Sequence, residues 1–425
     1  MYRSILLSAA AFALVAGTVS AEAACGVPQI QTAQIKLPPL KPATRPSGDS
    51  IVGFWQVSLI VGGQVVLHTM KTWHSDGTEY DNADLPGLLE KALDLADWQG
   101  YAKRRADSEK RGKLRGIGIA TVIENTGAGM YPKDEVEIEV DAKGEVTAYT
   151  VAHSQGQGHE TTFAMMVAKA LEIPVERVKI REGVPERTII GNHTGGSRSM
   201  VGAGTVCHMA GQKLVQNATP VAAELMGVEP SQVSYAGGEF KGPEAAMRLT
   251  LAQLAALRPL TAKAEATITS TFPNGCHIAE VEIDPDTGVT AIISYCTVDD
   301  CGVIVNHAIV EGQIHGAVAQ GAGQVFGEHA AYDRETGQLL TATFSDYFMP
   351  RAGLLPDLEM EEHPTASKVN PLGIKGTGEA GCTASLPALV NAVVDALRPL
   401  GVRHLDMPLT ASKVWATIAA ARAKQ

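Results

Sequence analysis

Glu135-Val136-Glu137-Ile138, a turn at Gly144 and then Val146-Thr147-Ala148 return further along the chain as Glu280-Val281-Glu282-Ile283, a turn at Gly288 and then Val289-Thr290-Ala291. Each copy alternates polar and apolar side chains with the two-residue period of a half-buried strand, so each reads as a β-hairpin. Each is followed by a loop with Gly and Gln and by a run of small residues that reads as a helix, over residues 155–170 in the first copy and 310–327 in the second. Two hairpin-and-helix units related by a pseudo-repeat predict an α+β domain.

Towards the N-terminus the edge of that domain is marked by a change of character near Asp81. Asp84 is placed to cap a helix with Pro86 in its first turn, and Leu88, Leu89, Ala92, Leu93 and Ala96 give the helix an apolar face. Before it, residues 51–61 and 64–73 are two apolar-rich runs joined by Gly62-Gly63, a two-residue hairpin signal. His68, Trp73 and His74 beside Ser75-Asp76-Gly77 read as a hairpin with a packed tryptophan and a turn, in preference to a metal or sugar site. Residues 26–49, rich in Pro, Thr and Lys without periodicity, read as a linker. The first residues carry Arg3, an apolar stretch over 5–19 and Ala21-Glu22-Ala23, the pattern of a secretory signal. Its apolar part is shorter than the ~20 residues that span a bilayer. The expected organisation is a signal peptide over 1–24, a linker over 25–50, a small β segment over 51–83 and the main domain over 84–425, in an exported, periplasmic protein with no permanent membrane anchor.

Composition narrows the function. The chain of 425 residues is 45% hydrophobic and 19% charged, the balance of a folded globular protein. A formal net charge of -11 argues against nucleic acid as a partner, since that binding runs on Lys and Arg neutralising phosphates. The densest basic run, Lys103-Arg104-Arg105 to Arg115, is interleaved with Asp107 and Glu109 and reads as a solvated helix face. Six irregularly spaced cysteines form no Cys-x-x-Cys pair, which weakens zinc and iron–sulfur readings and leaves most of them as small buried hydrophobes.

Three segments carry chemistry. Ser154-Gln155-Gly156-Gln157-Gly158-His159-Glu160-Thr161 joins the first hairpin to its helix, and glycines, amide side chains and a helix N-terminus together suit a phosphate or a pterin edge. Taken alone, an ordinary strand-to-helix turn explains that loop equally well. The second unit carries Val310-Glu311-Gly312-Gln313-Ile314-His315-Gly316. Asn370-Pro371-Leu372-Gly373-Ile374-Lys375-Gly376-Thr377-Gly378-Glu379-Ala380-Gly381 sets a carboxylate in a glycine-rich, otherwise apolar loop, where it has few local partners and is either solvent-facing or functional.

In this order, with Gly196-Ser197-Arg198-Ser199 and Asp300-Cys301-Gly302 between them, these segments resemble the C-terminal molybdopterin-binding region of the molybdenum hydroxylases, the xanthine dehydrogenase and aldehyde oxidase family, over residues 84–425. The resemblance implies a molybdenum–molybdopterin cofactor, commonly the cytosine dinucleotide form, with no metal ligand from the protein. It implies Glu379 as the catalytic base in hydroxylating an aldehyde or an N-heterocycle, with water as oxygen source. Gln155, Gly156, Gln157, Gly158, Ser197, Arg198, Ser199 and Gln313 would hold the cofactor, and Lys375 and Gly376 would shape the loop presenting Glu379. An iron–sulfur subunit and a chain supplying a first cofactor-binding domain are the implied partners. A fused, non-catalytic remnant that keeps the fold and at most weak cofactor binding is the competing expectation. A Rossmann reading is disfavoured because no strand leads into Gly-x-Gly-x-x-Gly.

Overall fold

The computed structural model describes residues 54–61, 64–71, 82–127, 131–267 and 269–424. The expected signal and linker, and the side chains of Trp55, His68, Trp73 and His74, lie outside the described residues. Strands β1 (Phe54–Val61) and β2 (Gln64–Lys71) form an antiparallel pair with Phe54 opposite Lys71 and Val61 opposite Gln64.

Each copy of the repeat becomes the hairpin of a separate four-stranded sheet. The first sheet has the order β10-β4-β5-β6, with β4 (Lys133–Val140), β5 (Val146–Thr150), β6 (Val178–Glu182) and β10 (Leu260–Thr267). The second has the order β13-β12-β11-β3, with β3 (Leu114–Ile123), β11 (Asn274–Ile283), β12 (Thr290–Asp300) and β13 (Glu359–Glu362). Ile138 pairs with Ala148 in one hairpin and Val281 with Ile292 in the other, where the register shifts between Glu280 and Val281. A small sheet of β7 (Ser234–Ala236), β8 (Glu239–Lys241) and β9 (Arg248–Thr250) and a short helix, Leu251–Leu257, stand beside the first.

The apolar members of each hairpin meet the helices that follow. Val136, Ile138 and Ala148 share a core with Phe163 and Val167 of α3 (His159–Leu171) and Val206 and Leu214 of α4 (Thr205–Met226), which follow α1 (Leu85–Leu95) and α2 (Tyr101–Lys110). With the short helix as α5, Val281, Ile283 and Tyr295 pack with Ile314 and Val318 of α6 (His307–Phe326) and Leu389 and Val393 of α7 (Ala380–Leu397). Helix α8 (Ala411–Arg422) adds Val414 and Ile418 to that second core. Helix α1 forms as its pattern predicts, with Asp84 accepting from the Gly87 N–H and Leu88 and Ala92 buried against β3 and β11.

Three expectations need correction. The first repeat helix starts at His159, because Gly156 and Gly158 have φ of 100° and 79°, outside the helical region. The second starts earlier than residue 310, because the Asn306 side chain accepts from the Ile309 N–H and fixes the entry. The basic run is also more than a solvated face. Lys103 and Lys110 do bridge Asp107 at the surface, but Arg104 and Arg115 bind Glu280 at 2.6 and 2.7 Å, and Arg111 and Arg115 reach Glu282. Glu280 is 3% exposed, and it can be buried because two guanidiniums neutralise it.

One close approach positions everything downstream. A Cβ on Gly116 would lie 2.0 Å from the Ala392 carbonyl oxygen, and one on Gly118 would lie 2.0 Å from that of Ala388. Helix α7 therefore rests its main chain directly on β3.

Candidate active site

Four helical starts meet at one cleft of about 370 Å³. Its walls include His159 at the start of α3, Ser199 and Met200 at the start of a π-type helical turn (Met200–Gly204) leading into α4, Asn306 before α6 and Glu379 before α7. Each helix start carries about half a positive charge from its aligned peptide dipoles. The starts of α3, the π-type turn and α7 have no side-chain cap; only Asn306 caps its helix. In a chain of net charge -11, this is a local concentration of positive potential suited to an anionic group such as a phosphate.

The sequence-predicted residues divide into those that face the cleft with their side chains and those that do not. Gln155, Gln157 and Gln313 line it with amide groups, and Gly158 lies just before the uncapped α3. The loop is partly self-braced, since Gln157 accepts from the Gln155 N–H and the Gln155 amide lies 3.1 Å from His153 Nε2. Arg198 lines the cleft too, but its guanidinium is 3% exposed and bound to Asp134 at 2.6 Å. Lys375 behaves alike: its buried ammonium binds Asp300 at 2.7 Å and the Thr365 hydroxyl at 3.0 Å. Both cations are thus taken up by buried carboxylates, Arg198 by Asp134 and Lys375 by Asp300. A Cβ on Gly376 would fall 1.9 Å from the Ser197 carbonyl oxygen, so the two loops pack main chain against main chain there.

Ser197 is the pivot of the site. It has φ of 51°, a left-handed conformation costly for a residue with a side chain. Its Oγ lies 2.9 Å from Glu379 Oε2, accepts from the Glu379 main-chain N–H at 3.0 Å, and lies 2.8 Å from Glu124 Oε1. Glu379 is exposed at the cleft, whereas Glu124 is half-buried behind the wall, just past the end of β3. Burial pushes the Glu124 carboxyl up to about 7, with the neighbouring Glu379 adding to the effect and the Ser197 hydroxyl opposing it. The sequence reading missed Glu124. Its signal was a carboxylate directly after the apolar run Ile117 to Ile123, but only the fold brings it to Ser197 and Glu379.

Three buried polar atoms here lack hydrogen-bond partners: Glu124 Oε2, Thr377 Oγ1 and His159 Nδ1. Thr377 and His159 line the cleft, and burial holds the His159 imidazole below its ordinary range, stacked on Phe163 at 4.6 Å. Such orphans are uncommon in folded proteins, and the two that line the cleft, on Thr377 and His159, fit a ligand that brings its own donors and acceptors. With the three glutamine amides and the uncapped helix starts, the donor set suits a phosphate-bearing heterocycle. Among the described residues, no group of three or more His, Cys, Asp or Glu is placed to hold a metal ion.

Comparison with known proteins agrees with this chemistry. The family profile of the molybdopterin cofactor-binding domain matches residues 91–356. The chain is 34% identical over 368 residues to the carbon monoxide dehydrogenase large chain of Hydrogenophaga pseudoflava, covering 80% of this chain and 46% of that one. It is 33% identical to the nicotine 6-hydroxylase large subunit of Paenarthrobacter nicotinovorans, covering 80% and 44%. Among solved structures it resembles a Cu,Mo-CO dehydrogenase with a TM-score of 0.74 at 31% identity, covering 81% of this chain and 47% of that one. Quinoline 2-oxidoreductase from Pseudomonas putida 86 gives a TM-score of 0.72 at 29% identity, with 83% and 47% covered. The chain thus spans less than half the length of these relatives.

Proposed function

Because the chain belongs to the molybdopterin cofactor-binding family found in molybdenum hydroxylase large subunits, we propose that it forms the base-bearing part of an enzyme that hydroxylates an aldehyde or an N-heterocycle with water as oxygen source. The observation that carries this reading is the cleft itself, where uncapped helix starts and amide side chains surround one exposed carboxylate, Glu379.

When bound, a molybdenum–molybdopterin group, in its cytosine dinucleotide form, supplies the redox centre. The start of α3, with Gly156 and Gly158, and the main chain of Ser197, Arg198 and Ser199 would hold its phosphates. Gln155, Gln157 and Gln313 offer both donors and acceptors to the pterin edge. Glu379 is the proton acceptor, held by Ser197 through its carboxylate and its own N–H. Lys375 and Gly376 fix the loop from behind, through the Asp300 ion pair and the contact with Ser197.

A water-excluding pocket needs more wall than this cleft provides, and the matched part of this chain accounts for less than half of each relative. We infer that a second chain completes the pocket with a further cofactor-binding domain, that an iron–sulfur subunit accepts the electrons, and that residues 1–24 direct export to the periplasm. The test is co-expression with the chains encoded beside it, followed by metal analysis and assay with aldehydes and N-heterocycles. Stoichiometric molybdenum and turnover that vanishes in Glu379→Gln support the reading. A correctly assembled complex that takes up no molybdenum would overturn it.

A further inference from the structure

Ser197 has one hydroxyl proton and three hydrogen-bonding contacts. The Glu379 N–H donates to its Oγ at 3.0 Å, which leaves the contacts at 2.9 Å to Glu379 Oε2 and 2.8 Å to Glu124 Oε1. The single O–H can point at only one of these oxygens. If both carboxyls were ionised, the other oxygen would face a hydroxyl lone pair at hydrogen-bond distance with no proton between them. A proton on Glu124 resolves the conflict: Glu124 donates to Ser197 Oγ, Ser197 donates to Glu379, and every contact has a donor and an acceptor.

We propose that Glu124 and Glu379 share one proton through Ser197, with Glu124 as the protonated member and a positioning residue for the Glu379 carboxylate. The catalytic meaning of the arrangement rests on Glu379 acting as the base, but the sharing itself does not. Two further observations favour Glu124 as the proton's site. Its second oxygen, Oε2, is buried without a partner, a poor environment for a charged carboxylate, whereas Glu379 is exposed at the cleft. The charged group that acts on Glu124 is Glu379, from the start of α7, and it raises the Glu124 pKa further, on top of burial. From the other side, the Glu124 N–H donates to the Pro273 carbonyl. Beyond Glu379 lies the half-buried Cys382 thiol, itself pushed up by burial and then by Glu379, so it brings no charge to offset the pair.

The pivot is built to hold this geometry. Ser197 is kept in its left-handed conformation with its carbonyl against Gly376, while Thr126 and Thr271 pair their hydroxyls at 2.6 Å just beyond Glu124 and the Gly376 N–H donates to Thr271. Glu124 therefore acts on Glu379 through a fixed hydroxyl, limiting the rotamers open to the carboxylate that faces the cleft.

The test is difference infrared spectroscopy of the full chain over a pH titration, which needs neither cofactor nor turnover. The wild type should show a protonated-carboxyl band that disappears through pH about 7. Glu124→Gln should lose that band. Glu379→Gln should keep it and move its loss to lower pH, because the repelling charge is gone, and Ser197→Ala should move it to higher pH, because the hydroxyl that favours the ionised form is gone. Absence of the band in a folded wild type, or its persistence in Glu124→Gln, would overturn the proposal. Where the assembled enzyme turns over, Glu124→Gln should lower kcat and displace the acid limb of its pH profile with KM unchanged. A chain that shows the titration but takes up no molybdenum would sink the proposed function and leave the proton sharing standing.

Discussion

Gly376 faces the carbonyl of Ser197 so closely that a methyl group on Gly376 would stand 1.9 Å from that oxygen. The loop bearing Glu379 and the loop bearing Ser197 are thus packed main chain against main chain.

Gly376→Ala should therefore separate the two loops. Overpacking of this kind costs about 1–3 kcal/mol, and chemical denaturation should show a loss of that size. Cofactor uptake should fall with it. Unchanged stability and uptake would show that the loops part freely.

Glu379→Gln keeps the side-chain shape and removes the base. Positioned acid–base groups contribute typically ~10²–10⁴-fold to rate, so kcat in an assembled complex should drop by that order with molybdenum content retained. A fully active Glu379→Gln complex would remove the assignment.

The Arg198–Asp134 pair is buried on both sides, at 3% and 3% side-chain exposure. Breaking a buried pair by removing one partner costs about 3–5 kcal/mol, because it strands a charge. Arg198→Met should destabilise by that order, and adding Asp134→Leu should recover part of the loss. If Arg198 instead bound a phosphate, Arg198→Met would reduce cofactor affinity with little change in the unfolding midpoint of the empty chain.

Glu124 also gives stability a sign with pH. Its carboxyl is raised in the folded protein to about 7, so folding retains a proton that the unfolded chain has released. The associated stability is fully present below the unfolded carboxyl range and is lost as pH rises through about 7. The wild-type unfolding free energy, measured relative to Glu124→Gln, should fall across that interval and then level off. A difference between the two proteins that is flat with pH would contradict it.

Much of the fold was legible because local pattern and tertiary role agree. Val136 and Ile138, and Val281 and Ile283, enter the two cores as their period-two spacing predicts, although Glu135 and Glu280 just before them are buried too. The cleft segments announced themselves through glycine and glutamine, in a loop for Gln155 to Gly158 and inside α6 for Gln313. Legibility failed where chemistry depends on distant partners. Nothing near Arg198 or Lys375 in sequence says that Asp134 and Asp300 will take up their charges, and Arg104 and Arg115 look solvent-facing until Glu280 arrives from a strand far along the chain. Glu124 was invisible for the same reason, since its partners lie at Ser197 and Glu379.

The glycines at 116 and 118 let helix α7 lie on strand β3 without any side chain between them. Soft side chains would absorb a small displacement by changing rotamer, but a carbonyl seated on a backbone has no such give. Counted at 1.5 Å per residue, the contact at Ala388 is only about 12 Å along the helix from its first residue. The strand acts as a gauge block for the carboxylate: whatever sets the plane of β3 also sets the height of Glu379 in the cleft.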